Sequence, residues 1–174
     1  GPGERKNPAR MKIFVPREST PGETRVAATP ETVSKLVRRG HELTVESGAG
    51  ASAHFPDAAY AEAGATVSED PPGAWAAAEA VLKVHGPRRV GDDAHEADRL
   101  AEGALLIALC APHRERDAVR RMRDRKVSAL ALELVPRVTR AQSMDVLSSQ
   151  ASVAGYEAAL LAAVHLDKHF PLMM

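Results

Sequence analysis

The chain has 174 residues, enough for one or at most two compact domains with a true core. Its 23 basic and 23 acidic residues balance, which argues against nucleic acid or an anionic membrane as an overall partner. The single Cys110 rules out an internal disulfide and fits a reducing compartment. Three apolar runs, AAEAVLKV, ALLIALCA and AALLAAV, fall short of a membrane span, and the polar opening GPGERKNPAR has no apolar signal region. Residues 1–10 are expected to be a disordered tail or a cloning scar. Aromatic content is only 3 %, so the core should be aliphatic.

In chain order, Lys12–Pro16 reads as a short buried strand, and Pro21-Gly22 marks a turn within the charged segment that follows. Thr29 then Pro30 is a helix start; Val33, Leu36 and Val37 form its apolar stripe, and Gly40 ends it. His41–Glu46 alternates as a strand. Gly48-Ala-Gly50 is a turn, Pro56 opens a second helix and Ala65–Ser68 is a third strand. Asp70-Pro-Pro-Gly73 reads as a break before a short helix over Ala74–Ala78. Glu79–Val84 is a fourth strand, and Asp92–Glu102 reads as polar and helical near its end. Ala104–Leu109 reads as a fully buried fifth strand, Pro112–Lys126 as a charged helix and Val127–Leu132 as a buried sixth strand. A long Ala/Leu helix is expected from about Ala151 to Phe170, stopped by Pro171. Strands alternating with helices predict an α/β fold with a mostly parallel sheet and helices on both faces.

The chemistry concentrates in Leu134–Tyr156, where Arg137, Arg140, Gln142, Asp145, Ser148, Ser149 and Gln150 follow an apolar strand. Open α/β sheets build sites where strands empty into such polar segments. The set suits a polar planar ligand but has no His, Cys or Lys for acid–base work. From chemistry alone it reads equally well as a capped helix start with Ser143 as N-cap.

Other candidates are weaker. Gly48-Ala-Gly50-Ala-Ser-Ala53 matches a dinucleotide fingerprint, with Glu69 and Asp70 about twenty residues on. It follows the second strand, however, and no helix begins at its glycines. Arg17, Glu18 and Arg25 flank a turn and, taken alone, read as a solvated charged loop. His165 and His169 are spaced for a metal but lack a third ligand, so no metal site is expected. Arg114–Lys126 is basic but interleaved with Glu115, Asp117 and Asp124, and reads as a solvated helix face rather than a nucleic-acid patch.

The segment PRVTRAQSMDVLSSQASVAGY resembles the catalytic loop and following helix of domain I of the proton-translocating NAD(P) transhydrogenases. The opening from Met11, KIFVPRESTPGETRVAATPETVSKLVRRGHELTVESGAGA, resembles that family's start, which alanine dehydrogenase shares. The resemblance implies a three-layer, flavodoxin/Rossmann-like lobe. Residues 11–150 would be the N-terminal α/β lobe of domain I, and residues 151–174 a helix linking to an NAD-binding lobe absent from this chain. It implies hydride transfer from NADH, held between two lobes, to NADP+ on a separate component, coupled to proton movement through a membrane component. Arg137, Gln142, Asp145 and Ser148 would then surround the nicotinamide, both as catalytic and as cofactor-binding groups. Gln142 would sit near the nicotinamide and its ribose, Arg137 and Asp145 would form an ion pair shaping the loop, and Ser148 would support the carboxamide. NAD(H) would be bound mainly by the missing lobe and NADP(H) by a partner. No nucleic acid and no direct membrane insertion are implied; location would be cytoplasmic, at the inner face of the plasma membrane through partner subunits, with homodimerisation open.

Within the resembling families Arg25 lines the cleft, and in alanine dehydrogenase the matching Arg grips a substrate carboxylate. That enzyme has a second Lys at the position of His85 and a His at that of Cys110. Their replacement argues against an amino-acid dehydrogenase. The chain is expected to be a fragment or a natural stand-alone lobe. The alternatives are a non-catalytic interaction module and, less favoured, the substrate lobe of an alanine- or saccharopine-type dehydrogenase.

Overall fold

A computed structural model describes residues 10–91 and 94–166. The chain divides into two compact units, with the boundary between Ala131 and Leu132. The first is built on a six-stranded sheet of β1 (Lys12–Val15), β2 (Glu42–Glu46), β3 (Thr66–Ser68), β4 (Ala80–His85), β7 (Leu105–Leu109) and β8 (Ser128–Ala131). A two-stranded antiparallel hairpin, β5 (Arg89–Val90) and β6 (Ala94–His95), interrupts the connection from β4 to β7. Four helices, α1 (Pro30–Arg38), α2 (Asp57–Glu62), α3 (Pro71–Ala77) and α4 (Arg116–Asp124), fill the remaining connections.

Strand order is β3-β2-β1-β4-β7-β8, and every pair is parallel. The chain therefore builds outward from β1 to one edge, returns to the other side of β1, and builds outward again. The reversal falls between β1 and β4, where Ile13 lies opposite Ala80 and Phe14 opposite Val81. The period of two along β1 splits the core. Ile13 and Val15 pack with Val33 of α1 and Tyr60 of α2, while Phe14 packs with Trp75 of α3, Leu106 of β7 and Met122 of α4. Phe14 meets Trp75 edge-on, with ring centroids 5.6 Å apart and planes at 73°. Helices thus cover both faces of a parallel sheet, the expected three-layer α/β class.

Local chemistry sets the helix ends. Thr29 accepts from the Thr32 amide at 3.3 Å and Pro30 occupies the first turn of α1, as its sequence predicts. The Asp70-Pro-Pro-Gly73 segment differs from expectation. It is the start of α3 rather than a break, because Asp70 accepts from the Gly73 amide at 3.2 Å and prolines suit the first helical turn.

Two strand expectations also change. β7 is not fully buried. Leu106 and Ala108 lie under the α3/α4 layer, whereas Leu105, Ile107 and Leu109 on the other face are only half-covered. β8 is the edge strand, not a buried one, and Leu130 is 54 % exposed. Within the Asp92–Glu102 segment Ala94–His95 pairs with Arg89–Val90, and the expected helical part is a short 3-10 helix at Glu96–Arg99. Single-residue hydrophobicity does not reveal whether a strand has neighbours on both sides, and these strands show it.

In the second unit, 3-10 turns at Leu132–Leu134 and Thr139–Met144 lead into α5 (Val146–His165). This helix begins five residues before its expected start at about Ala151, and its N-cap is Asp145, since Ser143 lies within the preceding 3-10 turn. His169, Phe170 and Pro171 lie outside the described residues. No residue of α5 is buried, and Val153, Tyr156, Leu160 and Val164 are all exposed.

The Gly48–Gly50 turn shows how tightly the first unit packs. Tyr60 is fully buried and donates to the Ala28 carbonyl at 2.9 Å. A β-carbon on Gly50 would stand 2.6 Å from Tyr60 Cε2 and 2.7 Å from the Phe55 carbonyl oxygen. Gly50→Ala should therefore destabilise the chain by about 1–3 kcal/mol in urea unfolding. Gly155→Ala, in open space within α5, should be neutral or stabilising by up to about 1 kcal/mol. Equal midpoints for the two variants would show that the turn is not close-packed.

Candidate functional site

Parallel α/β sheets place ligands outside the carboxyl ends of their strands, at the point where strand order reverses. Here that point lies between the ends of β1 and β4, and it holds a dense set of charges. Lys83 is 2 % exposed, in a strand otherwise built of Ala, Val and Leu before its terminal His85. Its Nζ stands 3.2 Å from Glu96 Oε1 and 3.6 Å from Glu18 Oε2. Glu18, from the segment after β1, also accepts from the backbone amides of Val84 at 2.7 Å and His85 at 3.3 Å. Glu96 accepts from the Arg88 amide at 3.1 Å. A buried ammonium requires such partners, because an unpaired charge in the interior is far costlier than a paired one.

Nearer the surface lies a second group. Glu23 accepts from Arg25 Nε at 2.8 Å and Nη2 at 2.6 Å, and its Oε2 stands 2.6 Å from His85 Nε2. The Arg25 guanidinium holds the Glu23 carboxyl down at about 2 against the opposing effect of burial, with further help from the Arg25 amide and His85. Glu23 in turn raises the Arg25 pKa. The expected solvated loop is therefore wrong for this segment: Glu18 and Glu23 are nearly covered, and Arg25 is half-covered. Beside the group is an open hollow of about 430 Å³ lined by His85, Arg88, Cys110 and Glu115 among others. Ala111, at its rim, adopts a left-handed backbone with φ 43°.

Sequence reasoning picks out Arg25, Glu18 and His85 but misses Glu23 and Glu96. A signal exists for Glu96. Lys83 inside an apolar strand demands a buried carboxylate, and the short helix-poor stretch after β4 is a place to look for it. Glu23 carries no signal beyond two residues' distance from Arg25.

The glycine fingerprint is occupied by the chain itself. Asp57 accepts from the Gly48 amide at 2.9 Å and from Ser47 Oγ at 2.7 Å, and those bonds lower its pKa. A carboxylate of α2 thus fills the position where a phosphate would sit.

The loop of the second unit brings together only some of its expected set. Asp145 accepts from the Ser148 amide at 3.0 Å and from Ser148 Oγ at 2.6 Å, capping α5. The Ser148 bonds are the main cause of the lowered Asp145 pKa; the Arg137 charge is a minor one. Arg137 and Asp145 make no contact ion pair, because Asp145 is committed to the cap. The side chains of Arg137 and Gln142 are exposed and take no hydrogen bond from the described residues. Among the described residues no group of His, Cys, Asp or Glu could hold a metal ion, and no helix is long and apolar enough to cross a membrane.

Glu23 gives a pH test. Its folded-state value lies below the ordinary 4.5, so its stabilisation is complete above about pH 4.5 and is lost as pH falls toward 2. Glu23→Gln should lower stability at pH 7, with the gap to the parent closing as pH falls through that window. Urea midpoints from pH 7 to pH 2 measure it; a gap independent of pH would mean that the carboxylate charge is irrelevant.

Comparison with known proteins agrees with this architecture. Residues 14–154 match the model of the alanine dehydrogenase/PNT N-terminal domain. An alpha-subunit polypeptide of the NAD(P) transhydrogenase of Rhodospirillum rubrum is 43 % identical over 164 residues, which is 94 % of this chain and 43 % of that protein. The alanine dehydrogenase of Bacillus subtilis is 35 % identical over 158 residues, 91 % of this chain and 39 % of that protein. Among solved structures, the transhydrogenase of Sinorhizobium meliloti superposes with a TM-score of 0.82 at 41 % identity, covering 93 % of this chain and 47 % of that one. An L-alanine dehydrogenase gives 0.77 at 29 % identity, covering 88 % and 40 %. The chain spans less than half the length of these relatives. With the parallel sheet, its switch-point cluster and a family match over most of its length, the chain belongs to the alanine dehydrogenase/PNT N-terminal domain family.

Proposed function

We propose that this chain is the first lobe of the NAD(H)-binding component of an NAD(P) transhydrogenase. The observation that carries the reading is the 43 % identity to a transhydrogenase alpha subunit over 94 % of the chain. In this reading the complete assembly moves hydride between NADH and NADP+ and couples it to proton translocation. A second lobe supplies most NAD(H) contacts, a partner component holds NADP(H), and a membrane component carries the proton. The chain sits on the cytoplasmic side, at the membrane through those partners.

The switch-point chemistry supports this over the substrate lobe of an amino-acid dehydrogenase. A keto-acid site needs a cation to grip the carboxylate and an acid to serve the carbonyl. Lys83 is held between Glu18 and Glu96, Arg25 is taken up by Glu23, and His85 is bonded to the same Glu23. Cys110 stands in place of the other enzyme's His.

The loop of the second unit fits a nicotinamide on chemical grounds. Gln142 offers a donor and an acceptor with no partner among the described residues, Arg137 offers a guanidinium outside any contact ion pair there, and the Asp145–Ser148 cap holds the following helix start. When bound, the nicotinamide supplies the hydride, and the protein needs no acid or base for that step. The chain's role is to position one ring and exclude water. Gln142 is the positioning group, Arg137 sets the local charge, and Ser148 supports the carboxamide from a place fixed by Asp145.

Two outcomes test the reading. The chain alone should bind NADH weakly or not at all, since its only glycine fingerprint is filled by Asp57. Micromolar affinity by titration calorimetry would overturn that and reopen the first unit as a nucleotide site. Gln142→Asn in the assembled enzyme keeps the amide but shortens its reach. Stability should change by less than about half a kcal/mol, while hydride transfer in single turnover should fall by up to about a hundredfold. An unchanged transfer rate would remove the loop from the mechanism; an unfolded variant would make it a structural turn.

A further inference from the structure

One large apolar side chain of the second unit stands without its usual local partner. Met144 directly precedes Asp145, the N-cap of α5. A hydrophobic residue at that place ordinarily packs on the fourth residue of the helix, closing an apolar clasp over the cap. Here the fourth residue is Ser149, whose hydroxyl donates to the Val146 carbonyl at 3.0 Å. Met144 is left 54 % exposed. Its backbone is nevertheless fixed. The Asp145 amide donates to the Gln142 carbonyl at 3.2 Å, and Ala141, one 3-10 turn earlier, is buried.

What lies on either side gives the position its meaning. Gln142 and Ser148 are the groups assigned above to the polar edge of the nicotinamide. Amide and hydroxyl groups bond in the plane of a carboxamide and leave the face of its ring uncovered. A ring held by its edge alone keeps water on both faces. Hydride transfer needs one face bare toward the second ring and the other shielded. Met144 is the one large apolar residue between Gln142 and Asp145. Its unbranched, polarizable thioether makes favourable contacts with aromatic rings and adapts its shape to them.

We propose that the Met144 side chain packs against the face of the nicotinamide turned away from the hydride acceptor, as the apolar contact of a site whose other contacts are polar. That the ring is a nicotinamide rests on the functional reading above; the missing clasp and the exposure of Met144 do not. The competing cover is protein, a second lobe closing over the loop. The two leave different marks, because only one of them depends on the ring.

The test uses the full-length protein. Oxidation of Met144 to the sulfoxide by hydrogen peroxide is followed by peptide mass spectrometry, with Met11 of the first unit as internal reference. It is measured without ligand, with saturating NAD+, and with ADP-ribose, which lacks the nicotinamide. NAD+ should slow Met144 oxidation about fivefold or more, and ADP-ribose should leave it unchanged. In the enzyme assembled with its NADP-binding component, Met144→Gln should slow single-turnover hydride transfer about tenfold. Met144→Leu, close in volume, should stay within about twofold of the parent. Thermal unfolding of both variants should match the parent, since the side chain is exposed. Equal protection by the two ligands, no protection by NAD+, or equal transfer rates for the Gln and Leu variants would each overturn the proposal. Met144→Gln at the parent rate beside a slow Gln142→Asn sinks the Met144 contact alone; Gln142→Asn at the parent rate as well sinks the functional reading with it.

Discussion

Glu18 is the residue on which the first unit turns. One carboxylate, delivered by the segment after β1, accepts from two consecutive amides at the end of β4 and faces the buried Lys83 ammonium. It ties together the two strands between which sheet order reverses. Without it, the end of β4 would lose the carboxylate that accepts from its last two amides, and Lys83 would rely on Glu96 alone. Breaking a buried pair from one side leaves a charge in the interior, typically a loss of about 3–5 kcal/mol. The outer Glu23–Arg25–His85 group is built on the same two segments, so its geometry follows from the inner one.

Much of this architecture can be read from residues in order. The proline and threonine at the start of α1, the glycine at its end and the alternation along β2 each carry a local physical signature. Helix and strand succession then implies a parallel sheet. What cannot be read is lateral position. Ser128–Ala131 and Leu105–Leu109 are both apolar, yet one is an open edge and the other is covered on one face only; neighbours distant in sequence decide this.

Polar partnerships divide in the same way. Asp145 and Ser148 are three residues apart at a helix start, so a cap is within reach of local reasoning, although Ser143 competes for the role in sequence. Asp57 filling the turn at Gly48 spans nine residues and two elements, and Lys83 to Glu96 spans thirteen across a hairpin. Such bonds depend on where α2 and the hairpin settle, which composition does not encode locally. The loop that bears Arg137 and Gln142 is legible for the opposite reason. Its residue types are unusual enough to stand out, and these two side chains take no hydrogen bond from the described residues.

The long helix of the second unit is held by a different force from the others. α1 to α4 each bury side chains against the sheet, so they should melt with it in one cooperative step. α5 buries none; its order comes from the Asp145 cap and from alanine and leucine, which favour helix on their own. A helix of about twenty residues sustained this way sits near the limit of independent stability. Its ends should fray gradually on warming, well before the sheet gives way. Amide exchange along Val146–His165 is then a gauge of whatever packs on those exposed Val, Leu and Tyr side chains, slowing only when something does.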